Sequence, residues 1–241
     1  HLQDYLCDRK DKFFIGRLSG NEPNLCGRVL NKEAIPEQLM FEMLHTAGIH
    51  FKSNDDVKTY VGKYTKSCKN CDILGVWSGG MYTQAKLFYD FLEKITPNTK
   101  QICAQALEPY YFMENDKYAI NNVFKGKRVL IISSHKDTTV HQLKNHMNIH
   151  KKPIFDVTTE FHVYKPPQQN GGNYDGRSWT EHLEDMQSDL EAIKNDFDFD
   201  VALVSCGGFG MIICDYIHSK LDKSVIYVGG ALQLYFGILG N

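Results

Sequence analysis

Phe197-Asp198-Phe199-Asp200 leads into Val201-Ala202-Leu203-Val204-Ser205 and then Cys206-Gly207-Gly208-Phe209-Gly210. After an amphipathic stretch, Ser224-Val225-Ile226-Tyr227-Val228 leads into Gly229-Gly230-Ala231-Leu232-Gln233-Leu234-Tyr235-Phe236-Gly237. The order reads as strand, glycine loop, helix, strand, glycine loop. Short apolar runs that each stop at paired glycines fit parallel strands buried on both faces. Glycine at a strand end lets backbone approach a ligand and lets helix N-terminal N–H groups face an anion. A phosphate-bearing ligand at the carboxyl edge of a parallel sheet is the first expectation.

Upstream, the same alternation continues. Lys12 to Arg17 predicts a first strand, ending in a polar loop from Leu18 to Pro23. Pro36 opens a helix with Leu39, Met40, Met43 and Leu44 on its apolar side, since proline suits the first helical turn. Asn54 caps a second helix carrying Val57, Tyr60, Val61 and Tyr64. Asp72 to Trp77 predicts a strand, followed by Ser78-Gly79-Gly80 and a helix with Phe88, Phe91, Leu92 and Ile95 at helical spacing. Gln101 to Leu107 reads as another strand, ending at Glu108-Pro109-Tyr110-Tyr111. Val129 to Ile132 is the clearest strand of the middle region, and Phe155 to Tyr164 is β-rich. Pro166 to Gly176 is a flexible loop and a candidate lid. Ser178 and Glu181 form a capping box that opens a helix carrying Trp179, Leu183, Met186, Leu190 and Ile193 on one face. Strands alternating with helices predict an α/β fold, a doubly wound and mostly parallel sheet with its sites at strand carboxyl ends.

At 241 residues the chain can bury one good core, and residues 1–241 are read as a single domain. The net charge of −2 lacks the basic excess of a nucleic-acid binder. The apolar stretch from Val225 to Asn241 is too short for a bilayer span and carries four glycines, so it reads as core rather than a transmembrane segment. Seven cysteines without regular spacing suggest reduced thiols and set the expectation of a cytoplasmic protein. The chain opens at His1 without a signal peptide, and the expectation is a domain excised from a longer polypeptide.

Several candidate sites weaken on inspection. A dinucleotide fingerprint at Gly208 and Gly210 would need glycine at Ile213, and the following strand would need an acid where Val228 stands. No glycine-lysine-serine/threonine triplet of a P-loop occurs. Asp196, Asp198 and Asp200 precede their strand, at the edge opposite a ligand. Cys68 and Cys71 form a lone Cys-x-x-Cys without the second pair that zinc needs. His141, His146 and His150 sit among lysines near Pro153 and read as a solvated helix end. The loop after the first strand is better placed. Arg17 can pair with a phosphate in bidentate fashion, and Glu22 can ligate a cation, hold a sugar hydroxyl or act as a base. Ser133, Ser134, His135 and Lys136 also stand at a strand end. The bland reading of these features is a tight turn, a surface ion pair and an ordinary helix cap.

Val129-Leu130-Ile131-Ile132-Ser133, Trp179 with its helix, Asp200-Val201-Ala202-Leu203, Cys206 to Gly210 and, most specifically, Gly229 to Gly237 together resemble the GT-D-type glycosyltransferases. This Rossmann-like family is often associated with building bacterial surface glycans. The resemblance covers roughly residues 125–240, with sparser anchors at Ile15-Gly16-Arg17 and Asp72 to Trp77. It implies transfer of a sugar from a nucleotide sugar, a uridine diphosphate sugar above all, to a glycan or other hydroxyl acceptor. The family's acidic pair, Asp-x-Glu, follows an arginine at the end of the first strand. Here the matching residues are Gly20-Asn21-Glu22, so the aspartate position is glycine, and the implied Mn2+ or Mg2+ is left with Glu22. By this resemblance Arg17 and Lys136 neutralise the diphosphate, and Gly207-Gly208 and Gly229-Gly230 shape the donor pocket. Gly20, Asn21, Ser133, Ser134, Phe209 and Gln233 contribute to it, Glu22 is base or metal ligand, and His135 is the substitute base. The alternatives are a non-catalytic nucleotide-sugar binder and a Rossmann-like methyltransferase or oxidoreductase.

Overall fold

A strand buried on both faces must be apolar at every position, because alternate side chains enter different cores. Strand β4 (Arg128–Ser133) does this: Leu130 and Ile132 join one core, Val129 and Ile131 the other. The computed structural model describes residues 2–7, 9, 11–77, 85–109 and 121–239. The expected turn at Ser78-Gly79-Gly80 and the residues Tyr110-Tyr111 lie outside them. The other strands are β1 (Phe14–Arg17), β2 (Ile73–Val76), β3 (Lys100–Cys103), β5 (Glu160–Tyr164), β6 (Val201–Ser205) and β7 (Ser224–Tyr227). All seven pair in parallel in the order β3-β2-β1-β7-β6-β4-β5, which is the expected doubly wound α/β architecture.

The helices are α1 (Leu2–Cys7), α2 (Asn21–Asn31), α3 (Glu37–His45), α4 (Asn54–Asn70), α5 (Ala85–Ile95), α6 (Asn121–Phe124), α7 (Lys136–Leu143), α8 (Trp179–Phe197), α9 (Gly210–Ser219) and α10 (Leu232–Tyr235). Apolar residues of α2–α5, α8 and α9 fill the first core against Phe14, Leu74, Ala202, Val204 and Val225. The second core lies on the other face, where Leu6, Phe124, Phe155, Leu232 and Phe236 meet Ile15, Ile73, Leu203 and Ile226. The capping box at Ser178 and Glu181 forms as expected, with each side chain bonded to the other's backbone. Ser53 rather than Asn54 caps α4, its hydroxyl accepting from the Asp56 N–H.

Three elements differ from the sequence reading. The polar loop from Leu18 to Pro23 is cut short at Asn21, where α2 begins. Pro23 stands in the first helical turn, where its missing N–H has no intrahelical partner to lose. Gly27 lets α2 approach the Leu87 backbone so closely that a Cβ would stand 2.9 Å from its carbonyl oxygen. Packing outweighs the poor helix propensity of Pro and Gly here. Strand β3 stops at Cys103 and the chain tightens into a 3₁₀ turn over Ala104–Leu107. Of the β-rich segment Phe155 to Tyr164, only Glu160–Tyr164 pairs.

Neighbouring strands β1 and β7 send the chain to opposite faces. After β1 comes α2, whose Leu25 and Cys26 enter the first core. After β7 comes α10, whose Leu232 and Tyr235 enter the second. A crevice must open where two such connections diverge, at the carboxyl ends of the strands.

The packing beneath that crevice is tight. A Cβ on Gly210, at the start of α9, would collide with the Tyr227 ring, which is buried and donates its hydroxyl to Gly207 O at 2.8 Å. Gly210→Ala is therefore expected to destabilise the protein by about 1–3 kcal/mol through overpacking, read as a lowered midpoint in urea unfolding.

Candidate functional site

The crevice is a cleft of about 560 Å3, within the range of small-molecule sites. Its lining includes Arg17, Gly20, Asn21, Glu22, Ser134, Gly207, Phe209, Gly229 and Gly230. Nine of the residues predicted from sequence thus converge from the ends of β1, β4, β6 and β7.

Arg17 ends β1 with its guanidinium over the Trp77 ring, 4.7 Å from the centroid. The indole is itself held by a 3.0 Å bond from Trp77 Nε1 to Leu18 O. Stacking fixes the plane of the guanidinium and leaves its N–H edge to bind an anion. Gly229 has φ +65°, and a Cβ there would strike Arg17 Nη1. Both the backbone conformation and the close approach call for glycine.

Glu22 lies in the first turn of α2 with 4 % of its surface exposed. Ser19 Oγ donates to its carboxylate. Burial pushes the carboxyl pKa above its ordinary value, against the opposing pulls of the Ser19 hydrogen bond and the Arg17 charge. A carboxylate less reluctant to take a proton is suited to base work near neutral pH.

The two glycines after β6 are held by structure as much as they are offered to a ligand. Gly208 N–H donates to Ala47 O at 2.8 Å, and Gly208 O accepts from Tyr60 Oη at 2.7 Å. Gly208 is therefore a packing glycine, as the bland reading holds. Gly207 has φ +56°, and a Cβ there would stand 2.6 Å from Ala47 O; it remains exposed in the cleft.

Among the described residues, five predicted positions are not part of the cleft lining. Ser133 is buried with its Oγ accepting from the His135 N–H at 3.2 Å. His135 and Lys136 are exposed at the start of α7. Gly208 is occupied as described, and Gln233 lies in α10. The discounted candidates stay apart as well. Asp200 accepts from the Arg128 N–H at the opposite sheet edge, and Asp198 pairs with Lys223. Cys68 and Cys71 are buried, the Cys71 thiol donating to Cys68 O. His146 and His150 lie beyond the end of α7, bonded to Leu143 O and Tyr235 O.

Sequence reasoning did not name Ser19, Tyr227, Ser205 or the wall residues Thr46–Gly48 as site residues, and marked Pro167–Asn170 only as part of the candidate lid. Tyr227 carried a signal, a hydroxyl at the carboxyl end of an apolar strand run. Gln168-Gln169-Asn170 carried another, three consecutive carboxamides just past the Lys165-Pro166-Pro167 step that ends the β-rich segment.

The divalent cation implied by the resemblance is not matched by the donor set. Hard cations ask for several oxygen ligands, whereas Glu22 is the one acid of the lining and sits beside Arg17. Among the described residues no group of three His, Cys, Asp or Glu is placed to hold a metal. Gly20, where an aspartate would stand, has nothing within 4 Å of a Cβ position.

A parallel sheet, a cleft at its switch point, and an arginine beside a buried glutamate define a doubly wound α/β protein with a candidate site at the strand carboxyl ends. The family model of the GT-D fold-like domain matches residues 26–235. The chain belongs to the GT-D-like family, and its fold is that of a glycosyltransferase-like domain. The matched segment begins after the β1–α2 turn, so Arg17 and Glu22 lie outside it. No curated protein and no solved structure matches the chain. Among the described residues, no helix is long and apolar enough to cross a membrane.

Proposed function

We propose that the protein is a glycosyltransferase that moves a sugar from a nucleotide sugar, in the first instance a uridine diphosphate sugar, to a hydroxyl of a glycan acceptor. The observation that carries this reading is the pairing of a stacked, N–H-presenting Arg17 with a buried Glu22 of raised pKa across one turn of the cleft. Glycosyl transfer asks for these two things, a cation for the departing diphosphate and a base for the acceptor.

Arg17 and the backbone around Gly229 and Gly230 receive the diphosphate, with Gly20, Asn21, Ser134, Gly207 and Phe209 completing the donor pocket. In the simplest displacement the acceptor hydroxyl gives its proton to Glu22 as its oxygen bonds to the anomeric carbon. The bond from that carbon to the diphosphate oxygen breaks, and its electron pair leaves on the diphosphate. No step is routed through a metal ion or through His135.

UDP at a hundred times its dissociation constant is expected to raise the melting temperature by about 5–10 °C. Guanosine and cytidine diphosphates should give less, and manganese should not enlarge the UDP shift. Arg17→Ala should remove the shift. If no nucleotide stabilises the wild-type protein, the reading fails. Because Gly20 stands where an aspartate is expected, a UDP shift without turnover or slow donor hydrolysis would reassign the protein as a non-catalytic binder.

A further inference from the structure

The cleft is chemically lopsided. Its two charged residues, Arg17 and Glu22, both flank the turn from β1 to α2, while the wall formed by Thr46–Gly48 and Pro167–Asn170 carries no charge. Gln168, Gln169 and Asn170 give that wall its character. They belong to the glycine-rich loop between β5 and α8 that the sequence suggests as a lid.

The loop is fastened rather than hanging open. Gly171 N–H donates to His45 O at 2.9 Å, Tyr174 Oη meets His50 Nδ1 at 2.8 Å, and His182 Nε2 meets Asp175 Oδ1 at 3.2 Å. The two glutamines are oriented by the same loop. Gln168 Nε2 donates to Pro166 O and Pro167 O at 3.0 and 3.2 Å, which leaves Oε1 as an acceptor. Gln169 is buried; its Oε1 accepts from the Asp175 N–H at 3.2 Å and its Nε2 donates to the Asp175 carboxylate, which fixes the amide and leaves one Nε2 hydrogen as a donor. A preset acceptor beside a preset donor matches the hydroxyls of a sugar, each of which can both give and accept a hydrogen bond. Fixing them in advance spares the ordering cost of binding. A nucleobase also offers a donor and an acceptor, but it is usually held on an aromatic face, and no cleft-lining residue of this wall is aromatic.

We infer that Gln168 and Gln169 form the subsite for the glycosyl ring of the donor, so that the cleft orients its ligand with the anion toward Arg17 and the neutral ring toward the carboxamides. This rests on the nucleotide-sugar reading above. Calorimetric titration of wild type, Gln168→Ala, Gln169→Met and Arg17→Ala with UDP, UDP-glucose, UDP-galactose and UDP-N-acetylglucosamine tests it, with melting temperatures checking that each variant folds. Each glutamine variant should lose about five- to tenfold in affinity for the sugar nucleotide that wild type binds best while keeping its affinity for UDP. Arg17→Ala should weaken UDP and the sugar nucleotides alike. A parallel loss of UDP and sugar-nucleotide affinity in the glutamine variants would overturn the inference and make the wall a base subsite. Unchanged affinity for both would overturn it too, turning the wall toward the acceptor. If wild type does not bind UDP, the parent reading falls and takes this one with it.

Discussion

Replacing Glu22 with glutamine is expected to abolish sugar transfer and, at the same time, to make the protein more stable at neutral pH. Loss of a general base typically costs about 10²–10⁴-fold in rate, and the proposed role of Glu22 puts transfer in that range. The fold should survive, because the amide oxygen of glutamine can still accept the bond from Ser19 Oγ. The gain in stability follows from burial. The folded protein holds the Glu22 proton more tightly than the unfolded chain, in which the carboxyl has its ordinary value of 4.5. Between that value and the raised one the folded state binds more protons than the unfolded state, so stability falls as pH rises through the window. Glutamine carries no such penalty. Melting curves of both proteins from pH 4 to pH 8 should therefore coincide at the acidic end. They should separate as pH rises, with the variant higher, and then run parallel. The wild-type transfer rate should climb with pH over the same window as the base loses its proton. A variant that transfers normally would remove Glu22 from the chemistry, and one that melts lower than wild type at neutral pH would contradict the buried charge.

The second large effect is expected at Gly229, with Gly230 as its control. An L-residue in the left-handed conformation of Gly229 costs about 1–2 kcal/mol, and its Cβ would push the Arg17 guanidinium out of its place. Gly229→Ala should thus both lower the unfolding free energy and weaken UDP binding by at least about tenfold, since charge-assisted bonds to an anion are among the strong ones. Gly230 is exposed, with open space where its Cβ would go. Gly230→Ala should leave stability within about 0.5 kcal/mol. Urea unfolding and UDP titration of the pair read the two effects separately. Equal behaviour of the two variants would mean that the Arg17 contact carries nothing.

Much of the frame is legible along the chain because its signals are local. An apolar run such as Val129 to Ile132 has to be buried on both faces whatever surrounds it. A capping box such as Ser178 with Glu181 is complete within four residues. Helix α2 shows the opposite case. Asn21, Pro23 and Gly27 argue against a helix one residue at a time, and only α5 packed against Gly27 reveals why a residue without a side chain is wanted there.

The candidate site divides in the same way. Arg17, Glu22 and the paired glycines stand at strand ends, where position alone marks them. Gly207 and Gly208 look equivalent in the sequence, yet Ala47 and Tyr60, far away in the chain, occupy the backbone of Gly208 and leave Gly207 exposed. Likewise His135 and Lys136 follow a strand as directly as Ser134 does, and α7 turns them to solvent.

The sequence by itself determined that this is a doubly wound α/β protein with its candidate site at the carboxyl edge, because burial, turn and cap chemistry are written in neighbouring residues. Only the tertiary structure decided which strand ends meet. It set β1 beside β7, laid Arg17 against Gly229, buried Glu22 until its proton is held more tightly, and brought the Gln168–Gln169 wall across from another loop. Those contacts join residues separated by as many as 212 positions, from Arg17 to Gly229, and nothing local in a chain specifies them.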